Sequence, residues 1–404
     1  MIKHFLVCFI IFLPLPFSNV KAQEPSIPVV KFSSGSSSLK IPLELDGNII
    51  LMRVSVNKSR PLKFIFDTGA SISVVSPEIA SELGLKSQGE VKGNATGGSI
   101  TASLIEKVAF DVQGVEVSNQ LIAAISFGAT PCFPFDGIIG FDFINQFVVE
   151  LDYKNKLMNL HDPRSFQYVG DGKRVELVLE DRTPLVETQV ILANLAPVIA
   201  RLQVDTGGDG TVRLNSPFVA KHKLLSGRLK TIPDRGVGVG GEEARVLGRA
   251  KSLKVGQWVF ANPIISFSSA TEGSGKDEND GIVGGEILRR FKVILNYSRK
   301  EMILEPNQRI NEPYDVAMTG IVLSAEKEDD CNAWKVTEVA KNSAASRADI
   351  RAGDVITAID GRPVNTIPSD DVEQLFKQQG RRVVLTIKRA GAVLQKRLTV
   401  KRLI

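Results

Sequence analysis

Through most of the chain the hydrophobic positions come in short runs rather than at helical spacing. Ile49–Val56, Leu62–Phe66, Leu185–Leu192 and Phe291–Leu295 are rich in Val, Ile, Leu and Phe, and Gly, Asn and Pro interrupt them. Phe147, Val149 and Leu151 recur at every second position, the spacing that puts side chains on one face of a strand. This pattern predicts a β-rich body. The N-terminus differs. Lys3 and His4 precede an almost wholly apolar stretch, residues 5–17, which Pro14 and Pro16 interrupt near its end. Val20-Lys21-Ala22 then offers small residues where a signal peptidase reads. Residues 1–22 therefore read as a secretory signal cleaved near Ala22, with an uncleaved anchor as the alternative. No later segment reaches 18 uninterrupted apolar residues, so stable membrane insertion is not expected. A secreted or periplasmic location is expected. Residues 23–39, with the Ser/Gly run Ser33–Ser38, read as an N-terminal linker.

The chain repeats itself. Pro61–Phe66 runs into Asp67-Thr68-Gly69-Ala70, and Val198–Val204 runs into Asp205-Thr206-Gly207-Gly208, 138 positions later. Ser76-Pro77 matches Ser216-Pro217, and each pair reads as a helix N-cap followed by proline at the first helical position. Gly97-Gly98 matches Gly240-Gly241, and Asp136–Gly140 (DGIIG) matches Asp280–Gly284 (DGIVG) 144 positions on. That register continues through Phe147/Phe291, Val149/Val293, Leu151/Leu295 and Tyr153/Tyr297. A slowly drifting offset is what duplication with small loop insertions produces. The copies span residues 40–163 and 173–306.

Composition then narrows the chemistry. Of 404 residues, 43% are hydrophobic and 24% charged, an ordinary globular balance with room for two or three domains. The formal net charge is +5 with no block of like charge, which gives no support for a nucleic-acid partner. Three His and three Cys exclude most zinc sites and leave little room for Ser-His-Asp or Cys-His hydrolysis. Cleavage after Ala22 would leave Cys132 and Cys331, 199 residues apart in different domains, which read as isolated buried thiols, with a disulfide formed in an oxidising compartment as the alternative. Neither a metal nor an organic cofactor is implied.

Each copy places an Asp directly after an apolar strand, followed by Thr and Gly. The Gly permits a tight turn, and the Thr hydroxyl can tie two such turns together. If the copies face each other, Asp67 and Asp205 meet. Two touching carboxylates cannot both ionise, so they share one proton. The charged one can take a proton from water while the protonated one donates to a carbonyl. Gly140 and Gly284 would let a neighbouring strand pass beneath each turn. Gly236, Gly238 and Gly241 also fit G-x-G-x-x-G, but no βαβ unit surrounds them, so a dinucleotide site is not supported.

With both D-T-G turns and both D-G-I-[IV]-G motifs in place, the chain resembles the aspartic proteases, most closely the retropepsin-type branch. The resemblance implies a mainly β fold: two pseudo-symmetric β lobes with a cleft between them, both supplied by one chain, so a monomer. It implies Asp67 and Asp205 as the catalytic pair, supported by Thr68, Gly69, Thr206 and Gly207. It also implies flap hairpins near Gly93–Ile100 and Gly236–Ala244, carrying Gly97, Gly98, Gly240 and Gly241. Two departures stand out. Gly208 replaces the usual Ala, Ser or Thr, which predicts a looser turn. Neither flap carries the Tyr that pepsins place over the pair.

Beyond Pro306 the pattern changes. Gly320–Leu323, Lys335–Val339, Val383–Lys388 and Leu398–Val400 read as strands, and Ser369 caps a helix that Gly380 stops. With Ala352–Ile356 (AGDVI) and Ile359–Val364 (IDGRPV), residues 315–404 resemble a PDZ domain. The resemblance implies a groove between Gly320, Ile321, Val322 and Leu323 and the helix bearing Val372 and Leu375. There a peptide, its C-terminal carboxylate held by backbone N–H groups, would add as a strand. Asp349 stands where Gly is common. The expected function is a secreted or periplasmic aspartic endopeptidase acting on protein or peptide substrates, its PDZ domain recruiting substrate or partner. The alternative is a catalytically silent peptide-binding scaffold.

Overall fold

The computed structural model describes residues 6–7, 11–12, 27–128, 135–193, 195–226, 229–276, 279–323, 333–367 and 369–404. Cys132 and Cys331 lie outside the described residues, as do most of residues 1–22, the stretch expected to be a signal. The protein is mainly β, as its runs and alternation predict. The sheet of the first half contains Ile49–Val56, Leu62–Phe66, Gly137–Ile139, Val74–Val75, Val115–Ala124, Gly98–Val112 and Ser87–Ala95, in that spatial order. The sheet of the second half contains Thr183–Ile191, Val198–Val204, Gly281–Val283, Val212–Leu214, Ile264–Ser268, Gly241–Arg249 and Thr231–Gly238, in the corresponding order.

A six-stranded sheet joins the halves. Val148–Asp152 of the first runs antiparallel to Phe291–Asn296 of the second, with Val149 opposite Leu295, Glu150 opposite Ile294 and Leu151 opposite Val293. Strand residues at the same place in each copy thus pair reciprocally. One hydrophobic core runs through both halves, so apolar burial binds them together.

Two local readings differ from expectation. Residues 23–39 are not linker throughout: Val29–Phe32 pairs with Val115–Ser118, and Ser37–Pro42 pairs with Leu157–His161. Ser38 and Ile41 are buried while Leu39 and Lys40 are exposed, and Lys40, at φ +58°, marks the irregularity by which this edge strand keeps its pairing. In the second helix, Ser216–Lys221, Asn215 and not Ser216 occupies the N-cap position, and the Asn215 side chain makes no capping bond but donates to Asn279 O. Asn215 N donates to Asp280 O as Ser76 N donates to Asp136 O, so the structural equivalents are Ser76 and Asn215.

The C-terminal domain has its own core, including Val336, Ile356, Val372, Phe376, Leu385 and Ile387. Its sheet runs Ile321–Leu323, Trp334–Val339, Val355–Ile359, Arg382–Arg389, Ala392–Thr399. The chain leading to it is pinned by Arg290, which is fully buried. Arg290 Nη1 donates to the carbonyls of Arg309, Ile310 and Glu312, and its guanidinium lies 4.0 Å from the Tyr314 ring centre. Among the described residues, no helix is long and apolar enough to cross a membrane.

Candidate active site

Asp67 and Asp205 each end a strand whose backbone is fixed from the side. Asp67 N donates to Ile139 O, and Asp205 N to Val283 O, both at 3.0 Å. Gly140 and Gly284 allow the close passage the motifs predict. A Cβ on Gly140 would come 2.8 Å from Ala70 O, and one on Gly284 2.6 Å from Gly208 O.

The two turns interlock. Thr68 N donates to Thr206 Oγ1 and Thr206 N to Thr68 Oγ1, both at 3.0 Å. Thr68 Oγ1 donates to Val204 O at 2.7 Å, and Thr206 Oγ1 to Phe66 O at 2.8 Å. Gln203 Nε2 adds a bond to Gly69 O at 3.0 Å. Each carboxylate accepts from its own turn: Gly69 N reaches Asp67 Oδ1 at 2.6 Å, and Gly207 N reaches Asp205 Oδ1 at 2.8 Å. The glycines also make room for the opposite carboxylate. A Cβ on Gly69 would lie 2.7 Å from Asp205 Oδ1, and one on Gly207 2.4 Å from Asp67 Cγ.

Both carboxyls are fully buried. Burial first, and then the charge of Asp205, push Asp67 well above the ordinary carboxyl range, against the hydrogen bonds from Gly69 and Gly207. Asp67 Oδ2 is buried with no protein donor other than the facing carboxyl. A proton shared by the pair satisfies it. Tyr153 and Tyr297 are buried close enough to feel this charge, Tyr153 that of Asp205 and Tyr297 that of Asp67. Burial, the larger cause, raises both phenols and keeps them neutral.

Gly208 does not loosen the second turn. Gly208 N bonds Asp205 O as Ala70 N bonds Asp67 O, and Gly285 N bonds Gly208 O as Phe141 N bonds Ala70 O. A Cβ there would lie 2.8 Å from Ile282 Cδ1 and 2.9 Å from Asp205 Oδ2. Ile282 and the Asp205 carboxyl thus occupy the space a side chain would take.

Hairpins form at both expected flap positions, Ser87–Ala95 with Gly98–Val112 and Thr231–Gly238 with Gly241–Arg249. Their tips meet. Gly240 N donates to Thr96 O at 3.0 Å. A Cβ on Gly97 would come 2.1 Å from Gly241 O, one on Gly98 2.8 Å from Gly240 O, and one on Gly240 2.7 Å from Gly98 N. Backbone therefore packs on backbone. The short strand Leu6–Val7 lies parallel to Gly236–Val237, and Ile11–Phe12 antiparallel to Asn94–Ala95, so an extended segment can pair with both hairpins.

In the C-terminal domain, Ile321–Leu323 is an edge strand. Gly320 has φ +79°, and a Cβ there would come 2.2 Å from Ser343 Cβ. Val322 and Leu323 are buried. Val372 is buried in the domain core and Leu375 is half-buried against it. The helix instead presents Glu373 and Lys377, beside Ile321, to a cavity of about 480 Å³ whose far wall includes Asp209, Glu286 and Arg289. Burial, and then Glu373, push Asp209 up to about 7 against the hydrogen bond from Asn48 N. Asp349 adopts φ +55°, a left-handed conformation that Asp tolerates better than most residues.

Sequence reasoning missed Arg213, which is fully buried. The repeat did carry a signal: Ile138 pairs with Val74, and its equivalent Ile282 pairs with Arg213. A charge therefore stands where the first copy has valine.

Residues 52–143 match a family model described as aspartyl protease, and residues 335–389 match one described as PDZ domain. The first match contains Asp67, and Asp205 lies outside it. Direct comparison with curated proteins gives no match. The chain carries an aspartyl-protease-like region followed by a C-terminal PDZ domain.

Proposed function

We propose that this aspartyl-protease-like chain with its PDZ module is an aspartic endopeptidase, with Asp67 and Asp205 as its catalytic pair. The observation that carries the reading is the junction of the two turns, which brings two buried carboxyls into contact, where they can share one proton. Residues 40–163 and 173–306 act as the two lobes, and residues 315–404 recruit a peptide or protein. The chain is exported, to a periplasm or beyond the cell, and loses residues 1–22 by cleavage near Ala22.

In the reaction, water attacks the scissile carbonyl carbon and gives a proton to the ionised carboxyl. The neutral carboxyl gives its proton to the carbonyl oxygen. The pair again holds one proton; it gives this proton to the amide nitrogen and takes one from a diol hydroxyl as the C–N bond breaks, which releases an amine and an acid and leaves the pair singly protonated. Thr68, Thr206, Gly69 and Gly207 hold the carboxyls in register. Hairpin tips that separate and meet again admit the substrate and then cover it.

Digestion of denatured casein by the mature protein between pH 3 and 8 tests this. Asp67→Asn and Asp205→Asn should each lower kcat at least about a hundredfold without loss of fold. Activity should be bell-shaped in pH. It falls at low pH when both carboxyls are protonated, and at high pH when the shared proton leaves. Because Asp67 is raised, the alkaline limb lies well above the pKa of an ordinary carboxyl. Undiminished cleavage in both variants would overturn the assignment.

A further inference from the structure

We propose that Arg213 is a positioning residue that holds the two hairpin tips closed, with Thr96 as its contact on the first hairpin and Glu243 on the second. Its strand, Val212–Leu214, leads out of the Asp205 turn. From there Nη1 donates to Glu243 Oε2 at 3.2 Å and to Thr96 Oγ1 at 3.3 Å, and Nη2 donates to Ser274 Oγ at 3.4 Å. Thr96 Oγ1 and Ser274 Oγ are 3.0 Å apart. The arginine and glutamate side chains are 0% and 1% exposed. A planar guanidinium suits this role because its fork reaches several acceptors from one fixed plane.

The surrounding backbone closes the arrangement. A Cβ on Gly273 would come 2.5 Å from Ala95 O, and one on Gly275 2.8 Å from Glu243 Cδ. The loop bearing Ser274 therefore lies against both hairpins. Separating the tips breaks the Gly240–Thr96, Arg213–Thr96 and Ser274–Thr96 bonds together, which makes closure a two-position device. The two hairpins are held unequally. The first is tied through neutral hydroxyl and carbonyl groups, the second through a buried ion pair. Separating a buried ion pair leaves two unpaired charges and costs more than separating one guanidinium–hydroxyl hydrogen bond, which leaves only one charge short of an acceptor. The first hairpin is therefore the one that opens, while the second stays on Arg213.

This inference rests on the proposed catalytic pair only in its kinetic arm. Hydrogen exchange of the full chain, without substrate, reads the structural arm. In Thr96→Val, peptides covering 93–100 should exchange about fivefold faster, while those covering 236–244 keep their rate. In Arg213→Met both hairpins should speed up. Strand Phe291–Asn296 should be unchanged in both variants. For a casein-derived peptide, Thr96→Val should raise KM about fivefold and leave both pH limbs in place. Unchanged tips in both variants would overturn the proposal, as would acceleration spread equally over hairpins and shared sheet. If Arg213→Met fails to fold, Thr96→Val decides alone. If the wild type cuts nothing, the catalytic reading fails while the exchange result still judges this one.

Discussion

The undersides of the two hairpins occupy matching places and are built from opposite chemistry. In the first half the facing positions are Val74, Ile100, Ala102, Ala123 and Ile125, which form an apolar cluster with Val239. The register of the second half puts Arg213, Glu243, Arg245, Ser266 and Ser268 at those places. Arg245 is engaged by Asp234 at 2.7 Å. The same backbone frame thus accepts either filling. Backbone-level demands, such as the glycines of the turns and the strands beside each Asp, are alike in both copies, whereas the side chains beneath the hairpins have diverged. Apolar contact is non-directional and tolerates sliding. An ion pair within a hydrogen-bond network fixes one geometry. One hairpin rests on an adaptable surface and the other on a specified one.

The largest effect should come from converting one side toward the other. Arg213→Met strands Glu243 as a buried charge and should cost about 3–5 kcal/mol in urea unfolding. The double variant Arg213→Val with Glu243→Ile copies the first half at both places. It should recover most of that loss and match or exceed the wild type, because well-packed apolar residues often replace a buried pair without penalty. A double variant no better than Arg213→Met would show that the second half cannot take the apolar filling, and the equivalence of the two frames would fall.

The same contrast recurs beside the D-G-I-[IV]-G motifs. Asp142 in the first half accepts from Ser73 N, and burial pushes it up to about 6 despite that bond. Its counterpart Glu286 is paired with Arg289 and Arg290. A carboxyl raised on folding favours the folded state fully below its unfolded pKa, and this contribution fades as pH rises through about 6. Wild type should therefore lose on the order of 2 kcal/mol relative to Asp142→Asn between pH 4 and 7. Parallel pH dependence of the two urea midpoints would contradict this.

How much of this the sequence disclosed depends on what each feature rests on. The strands and both Asp turns follow from apolar runs, period-two alternation and glycine placement, which are local, whereas both hairpins were expected from the family resemblance, placed on the repeated Gly pairs. The linker reading failed because composition around Ser33–Ser38 says nothing of a partner strand more than a hundred residues away. The PDZ resemblance placed Val372 beside a groove because it identifies the helix but not the burial of each of its side chains, and Val372 lies in the domain core. Gly208 was read as slack because only the folded structure shows Ile282 against it. Arg213 was overlooked because a charge inside an apolar run is legible only once its acceptors, Thr96, Glu243 and Ser274, are gathered by the fold.

The smallest effect tests the register of the comparison itself. The shared Ser-Pro pairs suggest that Ser76 and Ser216 are equivalent caps. In the structure Ser76 caps its helix by accepting from Ile79 N at 3.2 Å, while Ser216 is the first residue of the second helix and donates to Ala270 O at 2.7 Å. The two sites should therefore rank alanine and glycine oppositely. At a cap position glycine costs only a few tenths of a kcal/mol and alanine about 1, so Ser76→Gly should be more stable than Ser76→Ala. At a helical position alanine is the better residue, by up to about 1 kcal/mol, so Ser216→Ala should be more stable than Ser216→Gly. Each pair shares the loss of its hydroxyl, which leaves the Ala-to-Gly difference to backbone preference alone. Thermal melting of the four variants reads that difference directly. Glycine above alanine at both sites would mean that Ser216 is a cap after all and that the copies align one residue away from the register drawn here, and alanine above glycine at both would remove the cap at Ser76.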